Sequence, residues 1–198
     1  MVNFSDIYGI RPNHDAPAKG KILVANPLIM EKYFKRSVVY IIEEGKDDMY
    51  AGVVLNKKSK YTLADIVSEA EDFPEIPVYR GGPVGMNNLF YLHCLGNMLT
   101  GSVHIGGNIY MGMEMLPVIS YMSAGNRTDG FIKFFLGFSG WSPGQLKMEI
   151  ATDSWGVGNL PYPYKCLKYD EELWRKSVRS LGGGSASWLR VPPSYSYN

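Results

Sequence analysis

The sequence predicts a single α+β domain, and three observations support this fold class. Short β-rich segments follow one another closely between residues 21 and 138. Helical segments are fewer, and most carry recognisable start and stop signals. The composition, 198 residues with 45% hydrophobic and 20% charged side chains, is that of a globular domain able to bury one core.

Eight segments have the composition of β-strands and are bounded by Gly, Pro, Asn or Asp. Several are apolar almost throughout, which predicts central strands covered on both faces. Gly106 and Gly107 adopt positive φ at low cost, so the two segments that flank them are predicted to form a tight hairpin. The predicted strands are 21–25, 37–44, 49–56, 77–80, 88–94, 102–105, 108–111 and 130–138.

Two helices are predicted between these strands. Thr62 and Asp65 have the spacing of a capping box for a helix that runs to Ala70. Pro117 near a start and Gly125 beyond an end bracket the second helix.

The clearest helix covers residues 170–181, where acidic side chains come first and basic ones later, as the helix dipole favours. Trp174, Val178 and Leu181 recur at helical spacing and form its predicted buried stripe. We therefore expect one domain over residues 1–182 that begins with a loose arm (1–19). Residues 183–198 are expected to be a flexible Pro/Tyr-rich tail that docks on a neighbouring subunit of a homo-oligomer.

The segment GFSGWSPGQLKMEI resembles a reactive serine in a glycine-rich turn. A nucleophile elbow needs G-x-S-x-G, and Trp141 stands where the second glycine is required. Ser142, Pro143 and Gln145 instead fit a helix start, with the Ser142 side chain as the cap. The segment therefore predicts a helix and not a catalytic role for Ser139.

Charge and cysteine content exclude several classes of protein. Twenty basic and 19 acidic side chains give a net charge of +1, so no global field attracts a nucleic acid or an anionic membrane. The basic groups at 57–60 and 175–179 lack a DNA-binding motif, and direct nucleic acid binding is not expected. Cys94 and Cys166 form no C-x-x-C pair, and neither a signal peptide nor a membrane span is evident. The sequence predicts a cytoplasmic protein.

The strand that ends in His93 and Cys94 is a candidate for a metal site. If this strand paired with 102–105, His104 would join them, and two imidazoles with a thiolate suit zinc. A structural zinc site needs four ligands, however, and no carboxylate lies nearby in sequence. We therefore expect neither a metal nor a cofactor.

Polar and glycine residues at strand ends are candidates for a shared ligand pocket. Arg36 offers a planar fork for a carboxylate or phosphate, and Asn56 offers both a donor and an acceptor. The alternative is that the glycines supply only turn geometry and Arg36 pairs with a surface acid. The candidate set is Arg36, Ser37, Asn56, Gly81, Gly82, His93 and Trp141.

Together, several motifs resemble the AlgH/YqgE family of bacterial proteins. They are GKILVANP, FKRSVVYIIE, GVVLNK, GGPV, FYLH and GFSGWSPGQLKMEI, followed by Trp155 and Trp174, in this order between Gly20 and Gly182. The family usually has alanine at the position of Ser139, and the tail from Gly183 lies outside its pattern. The resemblance implies an α+β fold with a mixed, bifurcated, partly barrel-like sheet surrounded by helices. For function the resemblance implies little, because the family has no established activity and only the AlgH name carries a role in transcriptional regulation.

The leading functional hypothesis is a non-catalytic protein that binds a protein or a small molecule, since no complete catalytic constellation is evident. The main alternative is a hydrolase or nucleotide-processing enzyme with a pocket near the GGPV turn and Trp141. Its sign would be Arg36, His93 and Ser139 within hydrogen-bond reach of one another. A DNA-binding regulator is a further alternative.

Overall fold

A computed structural model of the chain describes residues 15–161 and 167–192. The chain divides into two compact units. Unit 1 comprises residues 1–51, 141–161 and 171–198, and unit 2 comprises residues 52–140 and 162–170. The single domain expected over residues 1–182 stays a prediction.

The described residues form ten β-strands, three α-helices and four 3-10 helices. The strands are β1 (Ile22–Ala25), β2 (Val38–Glu44), β3 (Tyr50–Val54), β4 (Lys58–Thr62), β5 (Pro77–Arg80), β6 (Val84–His93), β7 (Val103–Gly106), β8 (Ile109–Gly112), β9 (Ile132–Trp141) and β10 (Trp155–Gly158). The α-helices are α1 (Met115–Ser123), α2 (Gln145–Ala151) and α3 (Leu173–Leu181). The 3-10 helices are Lys46–Asp48, Ser68–Ala70, Gly96–Met98 and Gly183–Arg190.

Unit 1 is built on three antiparallel strands in the order β10-β1-β2. Leu23 in the central strand pairs with Val157 on one side and Val39 on the other. All four β1 side chains are fully buried, as the continuous apolar pattern predicted. Helix α3 packs against all three strands through a face that includes Trp174 and Val178.

Unit 2 contains the branched part of the sheet. Strand β6 pairs antiparallel with β9 and β8, and β7 adds to β8. On the other side of β9, β5 runs parallel to it and carries β4 antiparallel at its own edge. Strand β3, whose residues 52–54 belong to this unit, also pairs with β9. The prediction of an α+β fold with a mixed, bifurcated sheet is confirmed.

The core of unit 2 is a cluster of buried apolar side chains from its strands and from α1. Helix α1 forms where Pro117 and Gly125 predicted it, and Val118 and Met122 are its fully buried residues. Met115 and Ile119 pack against the same cluster and are partly buried.

The helix predicted from Thr62 to Ala70 is wrong. Asp65 does accept hydrogen bonds from the Thr62 N–H (2.7 Å) and hydroxyl (2.9 Å), as a capping box requires. Val67 nevertheless adopts φ −119° and ψ 113°, an extended conformation that interrupts the helical path. Only the 3-10 helix at Ser68–Ala70 forms.

The helix after the GFSGW segment is present, but its start differs from the prediction. Helix α2 begins at Gln145, and Gly144 adopts a left-handed conformation before it. The Ser142 N–H donates to the Gln145 side-chain oxygen (3.0 Å), which is one half of a capping box. The described structure shows no cap by the Ser142 hydroxyl, so the predicted role of that side chain is wrong.

The ends of the chain also differ from expectation. Residues 1–14 lie outside the described residues, and Pro17 in the predicted arm is buried. Gly183–Arg190, expected as a flexible tether, forms a 3-10 helix that packs on α3 and buries Trp188 completely. Within residues 15–161 and 167–192, no helix combines the length and apolar character needed to cross a membrane.

Candidate functional site

In unit 1, the end of β1 gathers three of the residues that the sequence singled out. The Ala25 N–H donates to the Ser37 carbonyl (3.0 Å), and the Ala25 carbonyl accepts from the Trp174 indole N–H (2.9 Å). Ala25 also pairs with Trp155, whose ring meets the Trp141 ring edge-on at 6.0 Å. Ala25 therefore links the backbone of Ser37, which follows Arg36, to the Trp155 ring that contacts Trp141.

Arg36 has an unusual backbone and a well-held side chain. Its φ is +54°, in the left-handed region that few non-glycine residues occupy. The guanidinium carbon lies 4.5 Å from the centroid of the Trp174 ring, and Nη2 donates to the carbonyl of Val191. Burial, and then the charge of Arg175, lower the pKa of Arg36. The Arg36 guanidinium is therefore held between an indole ring and a backbone carbonyl at this end of unit 1.

Ser37 is fully buried, and its hydroxyl has no hydrogen-bond partner among the described residues. Three further groups of unit 1 share this property: the hydroxyls of Ser177 and Ser185 and the indole N–H of Trp188. A buried polar group without a partner costs about 1–3 kcal/mol. All four can donate a hydrogen bond, so they suit a ligand that carries acceptors.

Trp141 is held by a carboxylate that sequence reasoning missed. One oxygen of Glu149 accepts from the Trp141 indole (2.9 Å) and the Trp155 indole (2.8 Å), and the other accepts from the Gln145 amide (2.8 Å). The only sequence signal is that Glu149 lies four residues after Gln145, on one face of a helix. Trp141 therefore has a structural partner within unit 1.

In unit 2, Gly81 and Gly82 form a turn whose backbone packs on β9. The Gly81 N–H donates to the Leu136 carbonyl, and the Gly81 carbonyl accepts from Val54. A Cβ at Gly81 or Gly82 would overlap the backbone of Gly137 or Phe138. The Gly81 amide is therefore used within the fold, and the turn serves close packing. Asn56 is half-buried and precedes Lys57, whose carbonyl accepts from Arg80, next to Gly81.

Ser139 does not occupy a nucleophile elbow. It lies inside β9, which continues to Trp141, and its side chain is buried. Its hydroxyl donates to the Gly81 carbonyl at 3.3 Å. This contact ties β9 to the GGPV turn.

His93 is buried and stays neutral at physiological pH. Its Nδ1 accepts from the Leu95 N–H (3.3 Å), and its Nε2 has no partner among the described residues. Burial lowers the pKa of His93 to about 4. The ring stacks on Tyr110 with centroids 5.5 Å apart.

The pairing on which the zinc hypothesis depended does not occur. Strand β8 lies between β6 and β7, so Tyr110 is paired with both His93 and His104. Two strand spacings, about 9.5 Å, separate the two histidine positions. No group of three or more His, Cys, Asp or Glu with metal-binding geometry occurs among residues 15–161 and 167–192. Burial raises the pKa of Cys94, and Cys166 lies outside the described residues.

The register of β9 separates the candidate base from the candidate nucleophile. His93 pairs with Ile132, seven positions before Ser139 in the same strand. At about 3.3 Å per residue, roughly 20 Å lies between them. Gly81 bonds to Leu136, four positions from Ile132, which puts His93 roughly 13 Å from the glycine turn. Within unit 2, His93 is therefore not part of a site with Gly81, Gly82 or Ser139.

A buried lysine in unit 2 was also missed. Lys133 is 4% exposed, and its ammonium donates to the Leu55 carbonyl (3.1 Å) and lies 4.3 Å from the centroid of the Tyr79 ring. Burial, followed by Tyr169 and Asp129, raises the pKa of Tyr79. Its apolar strand neighbours gave no signal that this lysine points inward.

The two basic clusters have aromatic or acidic neighbours. Lys58 lies 3.7 Å from the centroid of Tyr169 and Lys60 lies 4.9 Å from that of Tyr61. Arg175 pairs with Glu172, three residues earlier, at 3.2 Å. That the protein does not bind nucleic acid directly stays a prediction.

Comparison with known sequences shows relatives along nearly the whole chain. A family model described as AlgH-like matches residues 22–186. A UPF0301 protein of Parabacteroides distasonis is 37% identical over 193 residues, which is 97% of each chain. One from Bacteroides thetaiotaomicron is 32% identical over 98% of each chain. The family model ends at residue 186, three residues past Gly183, whereas these two alignments extend further into the tail.

Solved structures share the fold. A protein from Corynebacterium diphtheriae superposes with a TM-score of 0.70 at 22% identity, covering 84% of this chain and 88% of the other. The AlgH protein from Pseudomonas aeruginosa superposes with a TM-score of 0.66 at 23% identity, covering 92% and 98%. With a matching family model over most of its length and relatives above 30% identity, this chain belongs to the AlgH-like family.

Proposed function

We propose that this protein acts by binding and not by catalysis, and that its ligand binds in unit 1 at the Arg36 end of the sheet. The observation that carries the first part is the arrangement of Ser139 and His93. Both side chains are buried, and the register of β9 keeps them roughly 20 Å apart. A hydrolase needs nucleophile and base within hydrogen-bond reach.

Two further features of unit 2 serve structural contacts. The Ser139 hydroxyl bonds to Gly81, and the GGPV turn is closed against β9. This arrangement weighs against the alternative of a hydrolase or nucleotide-processing enzyme that uses the serine.

Arg36 and Ser37 support the location. A left-handed arginine whose guanidinium stacks on an indole is conformationally costly, and such strain is concentrated at functional sites. The adjacent Ser37 hydroxyl is buried without a partner among the described residues. A regulatory role, which the family name carries, would act through such a binding event.

Turnover of a panel of esters, phosphoesters and nucleotides tests the proposal. We expect that neither Ser139→Ala nor His93→Gln abolishes any turnover of these compounds. Ser123→Ala, at an exposed serine, is the control. An activity abolished by either substitution, but kept in the control, would refute the proposal. Should either variant fail to fold, mass spectrometry of the native protein after a fluorophosphonate probe decides: a covalent adduct on Ser139 contradicts a non-catalytic role.

A further inference from the structure

The Arg36 end of unit 1 combines cationic groups with buried hydrogen-bond donors. Arg36 contributes a guanidinium held on the Trp174 ring, and Arg175 follows Trp174 directly in α3. Arg175 itself pairs with Glu172 at 3.2 Å, and its charge lowers the pKa of Arg36 after the larger effect of burial. The planar guanidinium of Arg36 fits the oxygens of a carboxylate or phosphate.

The groups without protein partners match the same ligand. The hydroxyls of Ser37, Ser177 and Ser185 and the indole N–H of Trp188 are all fully buried donors without a partner among the described residues. Ser177 lies three residues after Trp174 in α3, and Ser185 and Trp188 belong to the 3-10 helix packed on α3. An oxyanion offers only acceptors, whereas a neutral ligand with donors would leave such groups unmatched.

The C-terminal segment, defined as residues 183–192, covers this region. Its Trp188 is completely buried, and its Val191 carbonyl accepts a hydrogen bond from the Arg36 guanidinium. A neutral carbonyl is a weaker acceptor for a guanidinium than a charged oxygen is. An anionic oxygen would therefore bind the Arg36 guanidinium more strongly than the Val191 carbonyl does.

We propose that unit 1 binds a small oxyanion, the phosphate or carboxylate group of a small molecule, between Arg36 and the buried donors along α3. The ligand oxygen replaces the Val191 carbonyl on Arg36, and the C-terminal segment moves away. This inference rests on the proposed binding function and adds the ligand class and the element that responds to binding.

Titration calorimetry of the full chain with inorganic phosphate and, separately, with acetate tests the site. We expect saturable binding of at least one anion, weakened at least tenfold in Arg36→Lys, which keeps the charge but loses the planar fork. The tighter of the two anions identifies phosphate or carboxylate as the recognised group. The matched control is Arg127→Lys, an exposed arginine of unit 2, which should bind as the native chain does.

Absence of saturable binding for both anions, or equal affinity of Arg36→Lys and the native chain, would overturn the site. Circular dichroism establishes whether Arg36→Lys folds, and if it does not, Arg175→Gln takes its place with the same expectation of weaker binding. Retained native affinity in that variant would also overturn the site.

Hydrogen exchange tests the displacement of the C-terminal segment. Addition of the bound anion should raise the exchange rate of amides in residues 183–192, because the Arg36 contact that holds Val191 is lost. Unchanged or slower exchange there would overturn the displacement. These results are independent of any turnover: loss of anion binding refutes this inference, whereas activity that depends on Ser139 or His93 refutes the non-catalytic function.

Discussion

At Glu149, a single carboxylate organises the indoles of Trp141 and Trp155 and the amide of Gln145. The sequence predicted a helix after β9, but it did not identify the acceptor for the two indole N–H groups. Glutamate is suited to this position because both of its oxygens accept hydrogen bonds. A glutamine must present an NH2 group either to the indoles or to the Gln145 amide.

Glu149→Gln should therefore lower the free energy of unfolding by about 1–3 kcal/mol, because at least one donor meets another donor. Chemical denaturation monitored by tryptophan fluorescence measures the change. The control is Met148→Ala on the same helix, where the side chain is 63% exposed and the effect should stay within about 0.5 kcal/mol. Equal stabilities of the two variants would show that the carboxylate is dispensable.

His93 should make stability depend on pH. Its pKa falls from 6.5 in the unfolded chain to about 4 in the folded protein because the ring is buried. Between these values the unfolded state binds a proton that the folded state does not, so the free energy of unfolding decreases as pH falls from 6.5 to 4. The contribution of this group is about 3 kcal/mol.

Denaturation curves across this range should show a shallower slope in His93→Gln than in the native chain, whatever the stability of the variant at neutral pH. His104→Gln, at the exposed histidine on the other side of Tyr110, is the matched substitution and should retain the native slope. A native slope in His93→Gln would mean that this imidazole is already accessible to protons.

At the scale of elements, the start of α2 is held through the backbone N–H of Ser142 and not through its hydroxyl. The Ser142 N–H is satisfied by the Gln145 side chain, whereas the described structure shows no cap by the Ser142 hydroxyl. Ser142→Ala keeps the N–H and should change stability by less than about 0.5 kcal/mol. Gln145→Ala removes the acceptor and the bond to Glu149 and should cost about 1 kcal/mol.

Denaturation of these two variants side by side gives the comparison directly. A larger loss of stability in Ser142→Ala than in Gln145→Ala would support the hydroxyl cap that the S-x-x-Q pattern predicted.

Strands β4 and β10 were not predicted from the sequence, and the physical reason differs between them. Strand β4 lies at the edge of β5 and is mostly exposed, so it lacks the apolar pattern by which strands are recognised. Strand β10 alternates glycine with Trp155 and Val157, and glycine normally indicates a break in a strand. Its pairing with β1 supplies the stability that local propensity does not.

At the scale of the whole molecule, the C-terminal segment is part of the folded structure of unit 1. The glycine run before it resembles a linker, but Trp188 finds a buried position beside α3. Trp188→Ala should lower the free energy of unfolding by about 3–5 kcal/mol, as truncation of a buried aromatic side chain does. Thermal or chemical denaturation measures this loss.

The comparison variant is Met30→Ala, whose side chain is 83% exposed and should contribute within about 0.5 kcal/mol. If Trp188→Ala were as stable as this variant, the segment would behave as the flexible tail that its composition suggests.

Local sequence determined the α+β class, the positions of most strands, the helix after β9 and the lack of a serine elbow. These properties follow from periodicity, turn residues and motif geometry, which act over a few neighbouring positions. It also indicated Arg36 and Ser37 as candidates, because both lie at the end of a predicted strand.

Only the tertiary structure decided which polar groups meet. Tyr110 separates His93 from His104, Ser139 bonds to Gly81, and Arg36 reaches Trp174 and Val191 far along the chain. Such contacts depend on strand order and register, which in turn depend on packing between segments distant in sequence. A single sequence carries no local signal for them, and for that reason the partners of these polar groups could not be predicted.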